Sequence, residues 1–152
     1  IYTTFGNKHA LFLACFDRYQ HTVVTPAFST VESPDADTSN VAKYFAAQIS
    51  RAEAAGLPGP GCFVANSATE VAPADPDVME KVRQHNERLK QGFAQALLSS
   101  APQIETTRAD ELADVMVIFT NGLWTTSRNV SDAAVLRRAA DHFIDLLHRA
   151  VQ

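Results

Sequence analysis

Apolar side chains recur along the chain every three or four positions and are interrupted by polar or Pro/Gly-rich clusters, with no alternating run long enough for a strand. That spacing predicts an all-α protein. Phe12, Phe16, Tyr19 and Val23 share one face of a first helix, with Asn7 placed as its N-cap, and Pro26 should kink or end it. Ser33, Pro34 and Asp35 open a polar linker. A second helix then begins near Thr38 or Ser39, carries Val41, Phe45, Ile49 and Ala52 on one stripe, and ends at Gly56 before Leu57-Pro58-Gly59-Pro60-Gly61. A short helix follows at about 62–71.

Asp75 before Pro76 reads as an N-cap with proline at the first helical position, opening a long helix with Val78, Val82, Leu89, Phe93 and Leu97 on one face. Its other face, with Glu80, Lys81, Arg83, Glu87, Arg88 and Lys90, reads as solvated surface, and Asp77 and Lys81 are spaced as an i,i+4 pair. Pro102 closes it. Thr107, with Asp110 and Glu111 in the first turn, begins a helix to about Ser127 with Leu112, Met116, Phe119 and Leu123 on one stripe. Ser131 caps a last helix in which Leu136, Ala140, Phe143, Leu147 and Ala150 repeat with near-heptad spacing.

The last two helices each carry a second apolar set: Val115, Ile118 and Gly122 on one, Val135, Ala139 and Leu146 on the other. A domain this small cannot cover so wide an apolar surface alone, so the pair is expected to dock on its symmetry mate as a four-helix bundle. We place the homodimer interface on Val115, Ile118, Gly122, Leu136, Ala140, Phe143 and Leu147. Gly122, costly in a helix interior by about 1 kcal/mol, fits a close backbone approach, either between subunits or at a tight crossing within the chain.

The 152 residues suit one compact domain, or one plus a fragment of another, and 46% apolar with 20% charged residues is ordinary for a globular chain. Thirteen Lys and Arg against seventeen Asp and Glu give a net charge of −4, so any nucleic-acid contact must be local. Cys15 and Cys62 stand far apart with no metal-ligand spacing, which argues against a disulfide scaffold or zinc site and fits a reducing cytoplasm. His142 and His148 lack the spacing of a metal pair. Apolar runs such as 115–119 are far shorter than the ~20 residues of a membrane helix. The opening on Ile1, without a signal-peptide pattern, reads as a cut through something larger.

The stretch Ile1-Tyr2-Thr3-Thr4-Phe5-Gly6-Asn7-Lys8-His9-Ala10-Leu11-Phe12 resembles the end of the DNA-binding domain of tetracycline-repressor (TetR) family regulators. There, Tyr-x-x-Phe-x-x-Lys-x-x-Leu joins the recognition helix to the helix leading into the effector domain, and Tyr2, Phe5, Lys8 and Leu11 fall on it in register. The sequence departs from the family where Thr4 replaces a common His, Asn7 a common Ser and His9 a common acidic residue. The segment from Gly61 to Pro73, followed by Asp75-Pro76-Asp77-Val78, is similar to the sixth helix and the start of the seventh in one TetR subgroup.

The resemblance implies the tail of an N-terminal helix-turn-helix domain (residues 1–24, including the connecting helix) and a C-terminal helical effector-binding and dimerisation domain (residues 25–152). Tyr2, Thr4 and Lys8 would hold operator phosphates, groups that position a protein on DNA without reading its sequence. About 40 residues carrying the base-reading helix would lie upstream of Ile1. A small-molecule effector would enter among the middle helices, for which the candidates are Phe45, Ile49, Phe63, Asn66, Met116, Phe119, Thr120 and Trp124, with Glu70 and His85 as weaker additions. Cys62, at a helix start, is either a redox or electrophile sensor or a small buried apolar residue. The implied function is a transcriptional repressor released by its effector, without cofactor, metal or catalysis. The rivals are a helical ligand-binding and dimerisation module without DNA binding and, with no nucleophile-base, paired-acid or metal set in view, an all-α enzyme.

Overall fold

A computed structural model describes residues 7–152, and every regular element among them is helical. Helix α1 spans Lys8–Tyr19, α2 Thr25–Glu32, α3 Thr38–Ala55, α4 Phe63–Glu70, α5 Pro76–Ser100, α6 Thr106–Thr126 and α7 Ala133–Ala150. A single 3-10 turn, Ala72–Ala74, precedes α5. No helix among the described residues is long and apolar enough to cross a membrane.

The helix starts follow capping chemistry. Asn7 Oδ1 accepts from the Ala10 amide at 2.8 Å, and Asp75 Oδ1 accepts from the amides of Asp77 and Val78 with Pro76 in the first turn. Asp37 and Asn40 form a reciprocal capping box at α3. Gly56, at φ +106°, ends α3 in a conformation open to glycine alone at little cost. The last helix is capped by Asp132, not Ser131: its carboxylate accepts from the Ala134 amide at 2.9 Å.

Pro26 neither ends nor sharply breaks the first helix. The chain passes from α1 through a π-helical turn, Gln20–Val24, straight into α2, with Pro26 in the first turn of the new segment. Widening the turn ahead of the proline relieves the clash of its ring with the carbonyl four residues back. The result is one long arm, residues 8–32, laid across α5.

Two apolar clusters carry the fold. The larger joins α2, α3, α5, α6 and α7 around Phe28, Phe45, Ile49, Phe93, Met116 and Leu136. The smaller joins α1, α4 and the start of α5 around Phe16, Val64, Val78 and Val82. Phe16 meets Phe63 at 4.8 Å between ring centroids, and Phe28 meets Phe93 edge-on at 5.4 Å. Tyr19 and Trp124 pack against both clusters and mark the seam between them.

Three charged positions depart from a purely solvated surface. Lys81 pairs with Asp17 of α1 at 2.9 Å instead of with Asp77, and Lys90 holds Asp114 of α6 at 3.1 Å. Arg88 is a clamp: it holds Glu32 through two nitrogens and reaches the Gln20 and Thr25 side chains. The expected Asp77–Lys81 pair did not form because a neighbouring helix offered Lys81 a closer partner than its own.

Leu136, Ala140, Phe143 and Leu147, expected at a subunit interface, are buried in the larger cluster of the chain itself. Phe143 stacks on Phe119 at 3.9 Å. The adjacent stripe is the uncovered one: Ile118 is 72% exposed, Leu146 60% and Val115 49%, with Gly122 and Ala139 beside them. Nothing lies within 4 Å of where a Cβ on Gly122 would stand, so no intrachain crossing accounts for that glycine among the described residues.

Candidate functional site

The seam between the two clusters opens into a cavity of about 270 Å³. Its wall is built from consecutive turns of several elements. Tyr44, Gln48, Arg51, Ala52 and Ala55 form one stripe of α3, spaced to share a face. Tyr19, Val23, Val24 and Ala27 come from the arm, at and around the π-helical turn. His85 and Leu89 come from α5, Trp124 and Ser127 from the end of α6.

The rim is the Gly56–Cys62 loop, whose Gly59, Pro60, Gly61 and Cys62 line the opening. That loop is anchored rather than free. The Gly59 amide donates to the Ser127 carbonyl at 3.0 Å, and Asn66 Nδ2 donates to the Pro60 carbonyl at 2.7 Å. Gly61, at φ +75°, sits where a Cβ would press the Arg128 side chain at 3.0 Å and the Trp124 carbonyl at 3.2 Å.

The polar groups of the wall are held in defined states. Tyr19 donates its hydroxyl hydrogen to Cys62 Sγ at 3.4 Å. Burial first, and the neighbouring thiol second, push the Tyr19 and Tyr44 hydroxyls well above the ordinary phenol range, so both stay protonated. His85 is pulled down to about 4, chiefly by burial and secondarily by the charge of Arg88, so it is neutral near pH 7. Gln20 Nε2 lies 2.7 Å from His85 Nδ1 while Gln20 Oε1 accepts from Arg88. Nδ1 is therefore the acceptor, and the ring hydrogen sits on Nε2.

Of the eight effector candidates, Trp124 alone lines this cavity. Phe45, Ile49 and Met116 are fully packed in the larger cluster, and Phe119 is packed against it on the Phe143 ring. Phe63 lies in the smaller cluster among Phe12, Phe16 and Tyr19. Thr120 satisfies its hydroxyl on the Met116 carbonyl one turn back, and Asn66 spends its amide on Pro60 and Arg128. Both polar interruptions thus have local structural duties. The actual stripe of α3 is rotated by one residue from the expected one, because the most apolar face turned to α7 and left the mixed face to the cavity. Of the weaker candidates, His85 is in the wall, and Glu70 is on the surface with Arg128. Cys62 lines the cavity and is buried.

Tyr2 and Thr4 lie outside the described residues. Lys8 is exposed at the start of α1. One group that sequence spacing did not bring together is His9 with Asp75 and Asp77, whose ligand atoms lie within 4.8 Å of one another. Asp75 there already caps α5 and accepts from the His9 ring at 3.1 Å, so the group ties α1 to the start of α5.

The described residues thus form a helical domain with a partly aromatic cavity beneath the arm. Residues 38–142 match the family model of the LmrA/YxaF-like transcriptional regulators, C-terminal domain, within the TetR group. The chain belongs to that family and is a transcriptional regulator. No curated protein and no solved structure matches it significantly.

Proposed function

We propose that this chain is the effector-binding and dimerisation part of a DNA-binding repressor that leaves its operator when a small molecule fills the seam cavity. The observation that carries this reading is the arm: Tyr19, Val23, Val24 and Ala27 form cavity wall, while the same arm begins at Lys8, beside the segment that resembles the end of a DNA-binding domain. A ligand that contacts the arm at its π-helical turn, where the regular helical ladder is already interrupted, would bias the direction of α1 if it binds one arm position better than another. Residues 1–24 would belong to the DNA-binding domain and its connector, 25–152 to the effector domain. Tyr2, Thr4 and Lys8 would contact phosphates, and two such arms in a homodimer would set recognition helices about 34–36 Å apart.

The test is titration of the complete gene product against its own promoter DNA and scrambled DNA across a salt series. The promoter complex should be much the tighter, weaken steeply with log salt, and lose about one unit of salt slope in Lys8→Gln. Equal affinity for both DNAs at every salt concentration would overturn the DNA-binding reading. An effector that binds the DNA-bound and free protein equally would overturn release, because it could shift nothing.

A further inference from the structure

The cavity wall contains one formal charge. Arg51 lines it, no Asp or Glu does, and His85 is neutral there. Unlike Arg88, Arg128 and Arg137, each of which holds a carboxylate, the Arg51 guanidinium makes no ion pair among the described residues. It is exposed at the cavity's edge, on the same stripe of α3 as Tyr44 and about two turns further along. A neutral apolar molecule closing over that guanidinium would strip its water and return nothing, whereas a carboxylate would replace the water with charge-assisted, bidentate hydrogen bonds. His85 adds a second polar point, because its Nε2–H has no acceptor among the described residues. The volume, about 270 Å³, lies just under the usual range for drug-sized ligands and suits one or two fused rings.

We propose that the cavity takes a small aromatic carboxylate, with its ring against the apolar and aromatic wall that includes Trp124 and its carboxylate on Arg51. This rests on the reading of the cavity as the effector site, and the two can fail separately.

The experiment is calorimetric titration of the chain with 2-naphthoate and with its neutral isostere 2-naphthamide. It is repeated on Arg51→Gln and on Ala52→Phe, a substitution that fills the cavity, each checked for an unchanged circular dichroism spectrum. Naphthoate should bind at least tenfold tighter than the amide, Arg51→Gln should erase that preference while leaving amide binding in place, and Ala52→Phe should abolish both. If acid and amide bind equally, or if Arg51→Gln leaves the preference intact, the carboxylate class is overturned and the cavity reading stands. If neither compound binds, the aromatic-carboxylate class is overturned; if binding survives in a correctly folded Ala52→Phe variant, the cavity itself is overturned as the site.

Discussion

Two buried positions on α5 show how much a single residue decides. A Cβ on Gly92 would stand 2.6 and 2.8 Å from ring atoms of Phe28, which is completely buried and wedged against Phe93 and Tyr44. Gly92→Ala gains about 1 kcal/mol of helix propensity, but the ring has no room to yield, so a net loss of about 1–2 kcal/mol is expected in urea unfolding. His85 is the second. Its folded pKa, held down to about 4 by burial, lies below the ordinary value near 6.5. As the pH falls, the unfolded chain takes up this proton first. The stability associated with neutral His85 is therefore complete above about pH 6.5 and drains away between there and about pH 4, by up to about 3 kcal/mol. The loss in melting temperature from pH 7 to pH 5 should shrink in His85→Gln; an unchanged slope would show that other groups set the acid sensitivity. His85 was legible in principle: Val82 and Leu89 leave a seven-residue gap in the stripe, and His85 fills it at i+3 and i+4 spacing. Thr120 and Asn66 instead bond within the chain, as a short polar side chain on a helix can do on nearby backbone or loop groups without any ligand.

Helix existence and most helix ends were readable, since caps and breaks are local chemistry. The π-helical turn was not, because Pro26 forbids only the regular ladder and leaves open whether the chain stops or widens. Beyond the apolar packing of Phe16 and Phe28, the arm is held by Arg88, which spans the π-helical turn and α2 through Gln20, Thr25 and Glu32. Arg88→Met preserves the aliphatic stem and removes these bonds. It should cost about 1–2 kcal/mol and speed hydrogen exchange in residues 18–32 while α6 and α7 remain protected. Uniform loss of protection would mean the arm does not open as a unit. The same residue read as surface in the sequence, since periodicity assigns a face to a side chain and says nothing of what a second helix brings to it.

At the scale of the molecule, an uncovered apolar face on α6 and α7 is the main unfinished surface. If it is a homodimer interface, Ile118→Glu should give a monomer in sedimentation velocity with an unchanged circular dichroism spectrum, because Ile118 touches little of its own chain. Gly122→Ala should weaken the dimer while raising the helicity of α6, since a methyl group there meets nothing among the described residues. A dimer that survives Ile118→Glu at low micromolar concentration would place the interface elsewhere. The sequence alone determined the all-helical class, the order of the helices, most of their caps and breaks, and the presence of more apolar surface on the last two helices than one stripe. These are properties of residues a turn or two apart, which local hydrogen bonding and burial dictate. Only the tertiary structure decided which stripe of each helix became core, so that Phe45, Met116 and Leu136 went inside while Tyr44, Trp124 and His85 were left around a cavity. That choice depends on how neighbouring helices are rotated against each other. A turn of about 100° per residue means that a single position separates core, cavity wall and open face.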